Sequence, residues 1–190
     1  MKEYLPITKH NPKVLLKGVG VWTGNAEIIK DIIDRLKLKN NLALDLGVFL
    51  GFSSSVLSNY FEIVIGVDVF ERHGQANDET FCENQMSYVQ YMLKGDGFKN
   101  VQLVRSRAED YIKTTNKYFD LIHIDLSHSY EETMTVGSWS IEHSDCVLFH
   151  DTIAIEPVMR ACLKLEEKYK IHFYNFNYLA GLGIMTYKMF

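Results

Sequence analysis

Residues 45–51 read Asp-Leu-Gly-Val-Phe-Leu-Gly and decide how the rest of the chain is interpreted. They overlap the apolar run 42–46, which is typical of a buried strand, and a helical pattern begins after them at about Ser53. Glycines between a strand and a helix let the backbone turn tightly and approach a ligand, because no Cβ is in the way. The stretch therefore predicts a ligand-binding turn between a strand and a helix.

The same alternation of short apolar runs and helical patterns continues along the chain. Further strands are predicted at 63–67, 101–104, 119–124, 146–149, 171–176 and 183–187, and helices from Asn25, over 79–93, around Glu109, and over 130–141 and 157–169. Strands separated by helices form parallel sheets, whereas the last two strands are too close for a crossover helix. We predict an α/β, Rossmann-like, doubly wound, mostly parallel seven-stranded sheet with an antiparallel last strand and helices on both faces.

Length and composition indicate one globular domain over residues 1–190, with 47% hydrophobic and 23% charged residues. The net charge of −4 and the absence of a Lys/Arg block argue against a nucleic-acid partner. No apolar stretch is long enough to span a bilayer, so no membrane partner is expected. Three scattered cysteines are typical of reduced thiols, and we expect a cytoplasmic protein.

Two segments outside the regular pattern of strands and helices are candidates for substrate recognition. Residues 1–23 are interpreted as an irregular lead-in, and residues 70–84 form a long polar connection that could be a lid or a surface loop. So little added structure predicts either a small, openly bound substrate or a site that a second subunit completes in a homodimer.

An acidic residue ends the second predicted strand, roughly 20 residues past the glycine turn, where it can accept both hydroxyls of a ribose. This residue is Asp68. Ser53 and Ser54 stand at the predicted helix start, which suits a carboxylate, and Asp45 could hold an amino group of the same ligand. A dinucleotide-binding turn would need a glycine in place of Asp45, and a plain structural turn would not need Asp68.

Asp-Leu-Gly-x-x-x-Gly-Phe-Ser followed by Gly-Val-Asp resembles the class I S-adenosylmethionine-dependent methyltransferases, and among them the small O-methyltransferases of the catechol and macrocin-like sugar types. The resemblance runs from about residue 20 to residue 183 and implies S-adenosylmethionine as cofactor. Position 106 borders the adenine in that family, and Arg107 is larger than the residue usual at its position. The expected cofactor-binding residues are Asp45, Gly47, Phe49, Gly51, Ser53, Asp68, Ser106, Arg107 and Asp125.

Acids and histidines follow the fourth and fifth predicted strands. Adjacent parallel strands would place Asp125 beside His150 and Asp151, where carboxylates either bind a cation or repel each other. Asp-x-x-His-Ser-Tyr followed by His-Asp-Thr is similar to the metal-dependent sugar O-methyltransferases. The resemblance implies Asp125, His150 and Asp151 as metal ligands, Asp125 and His128 as catalytic residues, and His128 as general base.

Each of these residues also has a structural interpretation. Asp125 could cap a turn, and His128 could be a loop histidine on the surface. His150 occupies a position that the family usually fills with Glu or Asp, and an imidazole ligand there favours Mn²⁺, Fe²⁺ or Zn²⁺ over Mg²⁺. Alternatively, His150 only orients a water or a neighbouring residue. His123, inside the fourth strand, is interpreted as a hydrogen-bonded core histidine.

These observations predict a methyltransferase that uses S-adenosylmethionine and a divalent cation, Mg²⁺ or Mn²⁺, to methylate a hydroxyl of a sugar or another small metabolite. Two alternatives remain open at this point. One is a metal-independent methyltransferase acting on nitrogen or on a macromolecule, and the other is a non-catalytic domain that binds S-adenosylmethionine.

Overall fold

The computed structural model describes residues 1–16, 24–71 and 85–190. The strands in these ranges are β1 Lys2–Glu3, β2 Leu42–Leu46, β3 Ile63–Asp68, β4 Val101–Arg105, β5 Leu121–Ile124, β6 Val147–His150, β7 His172–Phe176 and β8 Leu182–Thr186. The helices in these ranges are α1 Asn25–Leu36, α2 Phe52–Ser58, α3 Gln85–Gly95, α4 Ala108–Thr114, α5 Tyr130–Glu142 and α6 Glu156–Tyr169.

All eight strands form one sheet in the order β1-β7-β8-β6-β5-β2-β3-β4. Neighbours are parallel except where β8 pairs with β6 and β7. The predicted Rossmann-like sheet with an antiparallel last strand is confirmed, with one strand added. That strand is β1, which comes from the expected irregular lead-in and pairs in parallel with β7.

The two final strands form the expected antiparallel pair, and β8 is the inner one. The chain leaves β6 through α6, passes over one strand position to β7, and then returns through a short connection so that β8 fills the gap. A sequence shows that two strands are too close for a crossover helix, but it does not show which of them lies nearer the centre of the sheet.

Helices cover both faces of the sheet. The apolar stripe of α1 packs with α2 against Ala43, Leu121 and Leu148. The opposite face carries α4, α5 and α6, which pack against Leu44, Ile122 and other residues of alternating position. Because side chains alternate along a strand, Asp45, His123 and His150 lie on the α1/α2 face. This alternation determines which polar groups can meet.

Several predicted boundaries shift by a few residues. Phe119 makes an isolated bridge with Ser144 and lies outside β5. The helix predicted over 79–93 is observed as α3 from Gln85, and its earlier part lies outside the described residues. Most of the predicted lid, 72–84, and the part of the lead-in over 17–23 also lie outside them.

The N-terminal segment is tied to α1 by one buried carboxylate. Asp31 Oδ2 accepts a hydrogen bond from Tyr4 Oη at 2.5 Å, and Asp31 Oδ1 accepts from the amide and hydroxyl of Thr8 at 2.9 and 2.8 Å. The amide of Ile7 donates to the same side chain at 3.3 Å. Arg35 Nη1 also lies 3.5 Å from Asp31 Oδ2, so neutral donors and one guanidinium together satisfy this carboxylate.

The direction of the strand order reverses between β2 and β5. From β2 the chain moves outward to β3 and β4, and from β5 it moves to β6 on the other side. Open α/β sheets bind ligands in the crevice beyond the carboxyl ends of the strands at such a reversal. Within the described ranges, no helix combines the length and apolar character needed to cross a membrane.

Candidate functional site

The glycine turn brings the ends of β2 and β5 into backbone contact. Gly47 has a φ of +94°, and its amide donates to the Val67 carbonyl at 2.9 Å. A Cβ built on Gly47 would lie 1.7 Å from the carbonyl oxygen of Asp125. No residue other than glycine fits there without moving one of the two strands, so the turn and Asp125 are held in a fixed relation.

Asp68 shapes the cofactor side of the crevice. One of its carboxylate oxygens accepts the amide of Phe49 at 2.9 Å, and the other accepts the amide of Phe70 at 2.8 Å. Each oxygen keeps a second lone pair, which suits an acceptor for two ribose hydroxyls. Phe49 has a φ of +49° and remains 46% exposed, so its ring borders the crevice.

Asp45 lies in the interior of the protein. Its side chain has no exposed surface, and Oδ2 accepts the hydroxyls of Ser53 and Ser54 at 2.7 and 2.5 Å. Oδ1 accepts from Nδ1 of His123 at 2.7 Å. The expected contacts of Asp45 and Ser53 with a bound ligand stay predictions, and in this structure their polar atoms bind each other.

The remaining expected cofactor residues lie along the same edge. Gly51 has a φ of +89° and precedes α2, where a Cβ would approach Val89 to 3.1 Å. The amide of Ser106 donates to the Asp68 carbonyl at 3.0 Å, which joins the ends of β3 and β4. Arg107 is exposed and precedes α4. The fold therefore places Ser106 beside Asp68, while the contacts of Gly51, Ser106 and Arg107 with a cofactor stay predictions.

Two carboxylates and two imidazoles meet where β5 and β6 end. His128 Nε2 lies 3.0 Å from Asp125 Oδ1 and 2.9 Å from Asp151 Oδ2. His150 Nδ1 lies 3.3 Å from Asp125 Oδ2 and 3.1 Å from Asp151 Oδ1. We call these four residues the acid–histidine cluster. The sequence expectation that adjacent strands would bring Asp125, His150 and Asp151 together agrees with this geometry.

The close contacts shift the protonation of the cluster. Hydrogen bonds with Asp125 and then Asp151 raise the pKa of His128 to about 10, although burial opposes the shift. Burial would raise the pKa of Asp151, but the hydrogen bonds from His128 and His150 hold it well below its usual range. The pKa of His150 is raised despite its burial, because it lies beside both carboxylates. Without another cation, the imidazoles therefore neutralise the acids.

Two members of the cluster have a left-handed backbone, which is unusual for residues with a side chain. His128 has a φ of +65° and Asp151 a φ of +60°. Such conformations cost roughly 1–3 kcal/mol each and persist where the surroundings impose them, often at functional sites. Helix α5 follows at once, with Ser129 accepting the amide of Glu132 at 3.2 Å. The turn between β5 and α5 thus aims His128 back at Asp125.

The cluster suits a divalent cation. Asp125, His128 and Asp151 can each offer one ligand atom, and these atoms lie within 4.8 Å of one another. Two carboxylates with an imidazole match Mn²⁺, Fe²⁺ or Zn²⁺ better than Mg²⁺. The ligand set expected from the sequence had His150 in place of His128. His150 is 10% exposed and its Nδ1 also lies within 3.3 Å of both carboxylates, and its role as a ligand stays a prediction.

Sequence reasoning missed the polar partners of Asp45. Ser54 and His123 both bind its carboxylate, although His123 was expected only to be a hydrogen-bonded core residue. The available signal was the period of two along β5, which puts His123 on the same face as Asp125. The partner itself depends on the β2–β5 register, in which Asp45 stands opposite His123.

Solved structures with the same fold share little sequence with this chain. The Bacillus cereus O-methyltransferase in complex with S-adenosylhomocysteine is 11% identical, with a TM-score of 0.66 over 90% of this chain and 84% of that one. The S-adenosylhomocysteine-bound methyltransferase PaMTH1 of Podospora anserina is 14% identical, with a TM-score of 0.63 over 86% and 79%. An rRNA methylase of Streptococcus thermophilus is 12% identical, with a TM-score of 0.58 over 80% and 90%.

The sequence itself matches a family described as a methyltransferase domain over residues 44–152, which is more than half of the chain. No protein of curated function matches it. The matched range begins in β2, contains the glycine turn and Asp68, and ends just after Asp151. The chain therefore belongs to this methyltransferase family and is a class I S-adenosylmethionine-dependent methyltransferase.

Proposed function

We propose that the protein is a cation-assisted O-methyltransferase that methylates a hydroxyl of a sugar or another small metabolite. The observation that carries the proposal is the position of the acid–histidine cluster. Asp125 belongs to it through its side chain, and its carbonyl oxygen lies directly over the glycine turn at Gly47. A cofactor held by the turn would present its reactive end beside the cluster.

The protein's part in cofactor binding is to supply oriented groups around the turn. Asp68 would accept the ribose hydroxyls, since both of its oxygens are already fixed by backbone amides. Phe49 would border the cofactor with an exposed ring. S-adenosylmethionine, when bound, supplies a methyl group on a positively charged sulfur. Methyl transfer in line to an oxygen then depends mainly on positioning.

On the acceptor side, His128 would take the proton of the hydroxyl. Its Nε2 points at both carboxylates, so in the structure the imidazole serves as their counterion. A divalent cation held by Asp125 and Asp151 would supply positive charge there and lower the pKa of the hydroxyl. The carboxylates would then no longer hold the imidazole in its charged form, and His128 could act as the base.

The choice of a small hydroxyl acceptor rests on two observations. The Bacillus cereus relative is an O-methyltransferase, and the net charge of −4 does not favour a polyanionic acceptor. Assembly as a homodimer and a cytoplasmic location are part of the same proposal. Light scattering that gives a dimeric mass would support a shared site, while a monomer with full turnover at high dilution would exclude it.

A metal-independent reaction is the second candidate, and one observation favours it. His128 already occupies the place between Asp125 and Asp151 that a cation would take, at 3.0 and 2.9 Å. In this version the cluster orients an acceptor nitrogen or a group on a macromolecule. The rRNA methylase of Streptococcus thermophilus shows that the fold also occurs in a protein of that kind.

The test is a methyl-transfer assay with a panel of hydroxyl acceptors, with and without Mg²⁺ or Mn²⁺. We expect turnover that excess chelator abolishes, and an Asp125→Ala variant roughly 100-fold or more less active, because loss of a ligand exceeds the usual cost of altering its supports. Mn²⁺ affinity, followed by electron paramagnetic resonance, should fall in the same variant. Asp34→Asn is the control, since Asp34 is an exposed carboxylate paired with Lys30 on α1.

Each outcome separates the candidates. Full turnover in excess chelator would contradict the role of the cation and favour the second candidate. Binding of S-adenosylmethionine without transfer to any acceptor would point to a non-catalytic binding domain. A loss of activity in Asp34→Asn equal to that in Asp125→Ala would show that the effect is not specific to the cluster.

A further inference from the structure

A line of buried polar side chains runs through the interior from the cofactor side of the crevice towards the acid–histidine cluster. It starts at Ser53 and Ser54 in the first turn of α2, passes through Asp45 on β2, and reaches His123 on β5. The ring of His123 then lies edge-on to the ring of His150, with their centroids 6.3 Å apart. Apolar residues of the α1/α2 face surround this line.

Burial ties the positions of the side chains along this line to one another. Asp45 and His123 both have no exposed surface, so water does not compete for their hydrogen bond. A buried polar group that loses its partner keeps its full desolvation cost, which ties each group of such a network to the position of the next. A shift of α2 therefore moves Asp45, and a shift of Asp45 changes where His123 is held.

The strand register explains why His123 connects the two sides. His123 stands opposite Asp45 on β2 and opposite Leu148 on β6. Two residues further along come Asp125, just after the end of β5, and His150 on β6, both members of the cluster. The imidazole thus lies one layer below the reaction end of the sheet and in line with it.

We propose that His123 is a positioning residue for methyl transfer, which couples the cofactor turn to the acid–histidine cluster through its hydrogen bond to Asp45. This inference rests on the proposed function, since it assumes that the turn holds the cofactor and that the cluster faces the acceptor. His123 touches neither ligand in this account. It fixes the relative position of two sites that must lie within bonding distance for the methyl group to pass.

The first arm of the test measures affinity for S-adenosylhomocysteine by calorimetry. Leucine at position 123 keeps similar volume and removes the donor, while asparagine keeps a donor near the place of Nδ1. We expect His123→Leu to weaken binding roughly tenfold, because it leaves one side of a buried carboxylate without its donor, and His123→Asn to restore most of the affinity. Ile122→Val is the packing control, because Ile122 is equally buried and faces the opposite side of the sheet.

The second arm measures the coupling itself. Asp151→Asn alters the cluster at a residue that contacts His150, and we expect it to change the affinity for S-adenosylhomocysteine by roughly threefold or more in the His123 protein. The same substitution should have no effect in the His123→Leu background. S-adenosylhomocysteine carries no sulfonium charge, so the loss of the Asp151 carboxylate charge removes no attraction to a sulfonium, and any other direct charge effect would be equal in both backgrounds.

The outcomes distinguish this inference from the proposed function. It is overturned if His123→Leu binds like the unaltered protein, or if Asp151→Asn acts equally, or not at all, in both backgrounds. If His123→Leu does not fold, His123→Gln replaces it, since that side chain carries its donor further from Asp45. Failure of the unaltered protein to bind S-adenosylhomocysteine would instead contradict the cofactor assignment. Full methyl transfer by the unaltered protein in excess chelator would contradict only the proposed cation.

Discussion

The carboxylates on the two sides of the crevice have different partners. On the cofactor side, Asp68 accepts backbone amides and Asp45 accepts serine hydroxyls and a buried imidazole. On the acceptor side, Asp125 and Asp151 lie against imidazoles whose pKa values are raised. The first set is fixed by donors that belong to the fold. The second set is balanced by imidazole charges, which can change when a proton is lost or when a cation binds.

This difference fits the two tasks of the enzyme. A cofactor that is the same in every turnover benefits from a rigid, preformed cradle. In the proposed reaction an acceptor hydroxyl would lose a proton, so the groups near it would have to change their charge. The backbone contact between Gly47 and Asp125 keeps the adaptable side in register with the rigid one.

Gly47→Ala is the substitution with the largest expected effect, because it disturbs the contact between the two sides of the crevice. Its Cβ would lie 1.7 Å from the Asp125 carbonyl oxygen, so the two sides would have to separate. We expect affinity for S-adenosylhomocysteine to fall by more than about 100-fold, or the fold to be lost, since the strain adds to a φ that costs an L-residue roughly 1–2 kcal/mol. Calorimetry and thermal melting measure the two effects.

Gly97→Ala is the matched control for that variant. Gly97 has a similar φ of +93°, but a Cβ there would meet nothing within 4 Å. It should therefore lose only the stability that the backbone conformation costs and keep its affinity for the ligand. Equal losses in the two variants would show that the close approach of Gly47 to Asp125 is unimportant.

A smaller effect distinguishes the roles of the two histidines on the acceptor side. We expect His150→Asn to lower Mn²⁺ affinity by about 10–100-fold, whereas His128→Asn should not lower it, because the charged His128 imidazole occupies the place that the cation would take. Electron paramagnetic resonance of free Mn²⁺ measures both values. The reverse order would make His128 the ligand and contradict its role as the base.

The smallest effect concerns Asp31, a buried carboxylate that lies outside the crevice and is held by neutral donors and by Arg35. Asp31→Asn should cost about 2 kcal/mol of unfolding free energy, which is usual for hydrogen bonds to a charged group, and leave ligand affinity unchanged. Denaturant unfolding gives the free energy, and Asp34→Asn is the exposed control on the same helix. A change in ligand affinity would show that the anchored N-terminal segment acts on the crevice.

Asp31 also predicts a pH dependence. Burial would raise its pKa, but hydrogen bonds from Tyr4, Thr8 and Ile7 hold it below the usual 3.8. A carboxyl group whose pKa is depressed by folding adds stability above its unfolded pKa and loses it as the pH falls through the folded value. The stability difference between the unaltered protein and Asp31→Asn should therefore shrink below about pH 4. A difference that stays constant down to pH 2 would contradict this account.

Much of the fold followed from local patterns in the sequence. The α1 stripe, the alternation of strands and helices, and the glycine turn each depend on residues close together in the chain. Strand ends are less certain, as the exclusion of Phe119 from β5 shows. The edge strand β1 could not be foreseen, because a two-residue pairing has no periodicity of its own.

The sequence by itself determined which residues reach the crevice, because the carboxyl ends of parallel strands share one edge. Only the tertiary structure decided their partners. The β2–β5 register places Asp45 opposite His123, so that the two side chains bind each other. The left-handed turn at His128 brings its imidazole between Asp125 and Asp151. Such contacts join residues up to 78 positions apart, and their geometry is set by packing and strand register rather than by spacing along the chain.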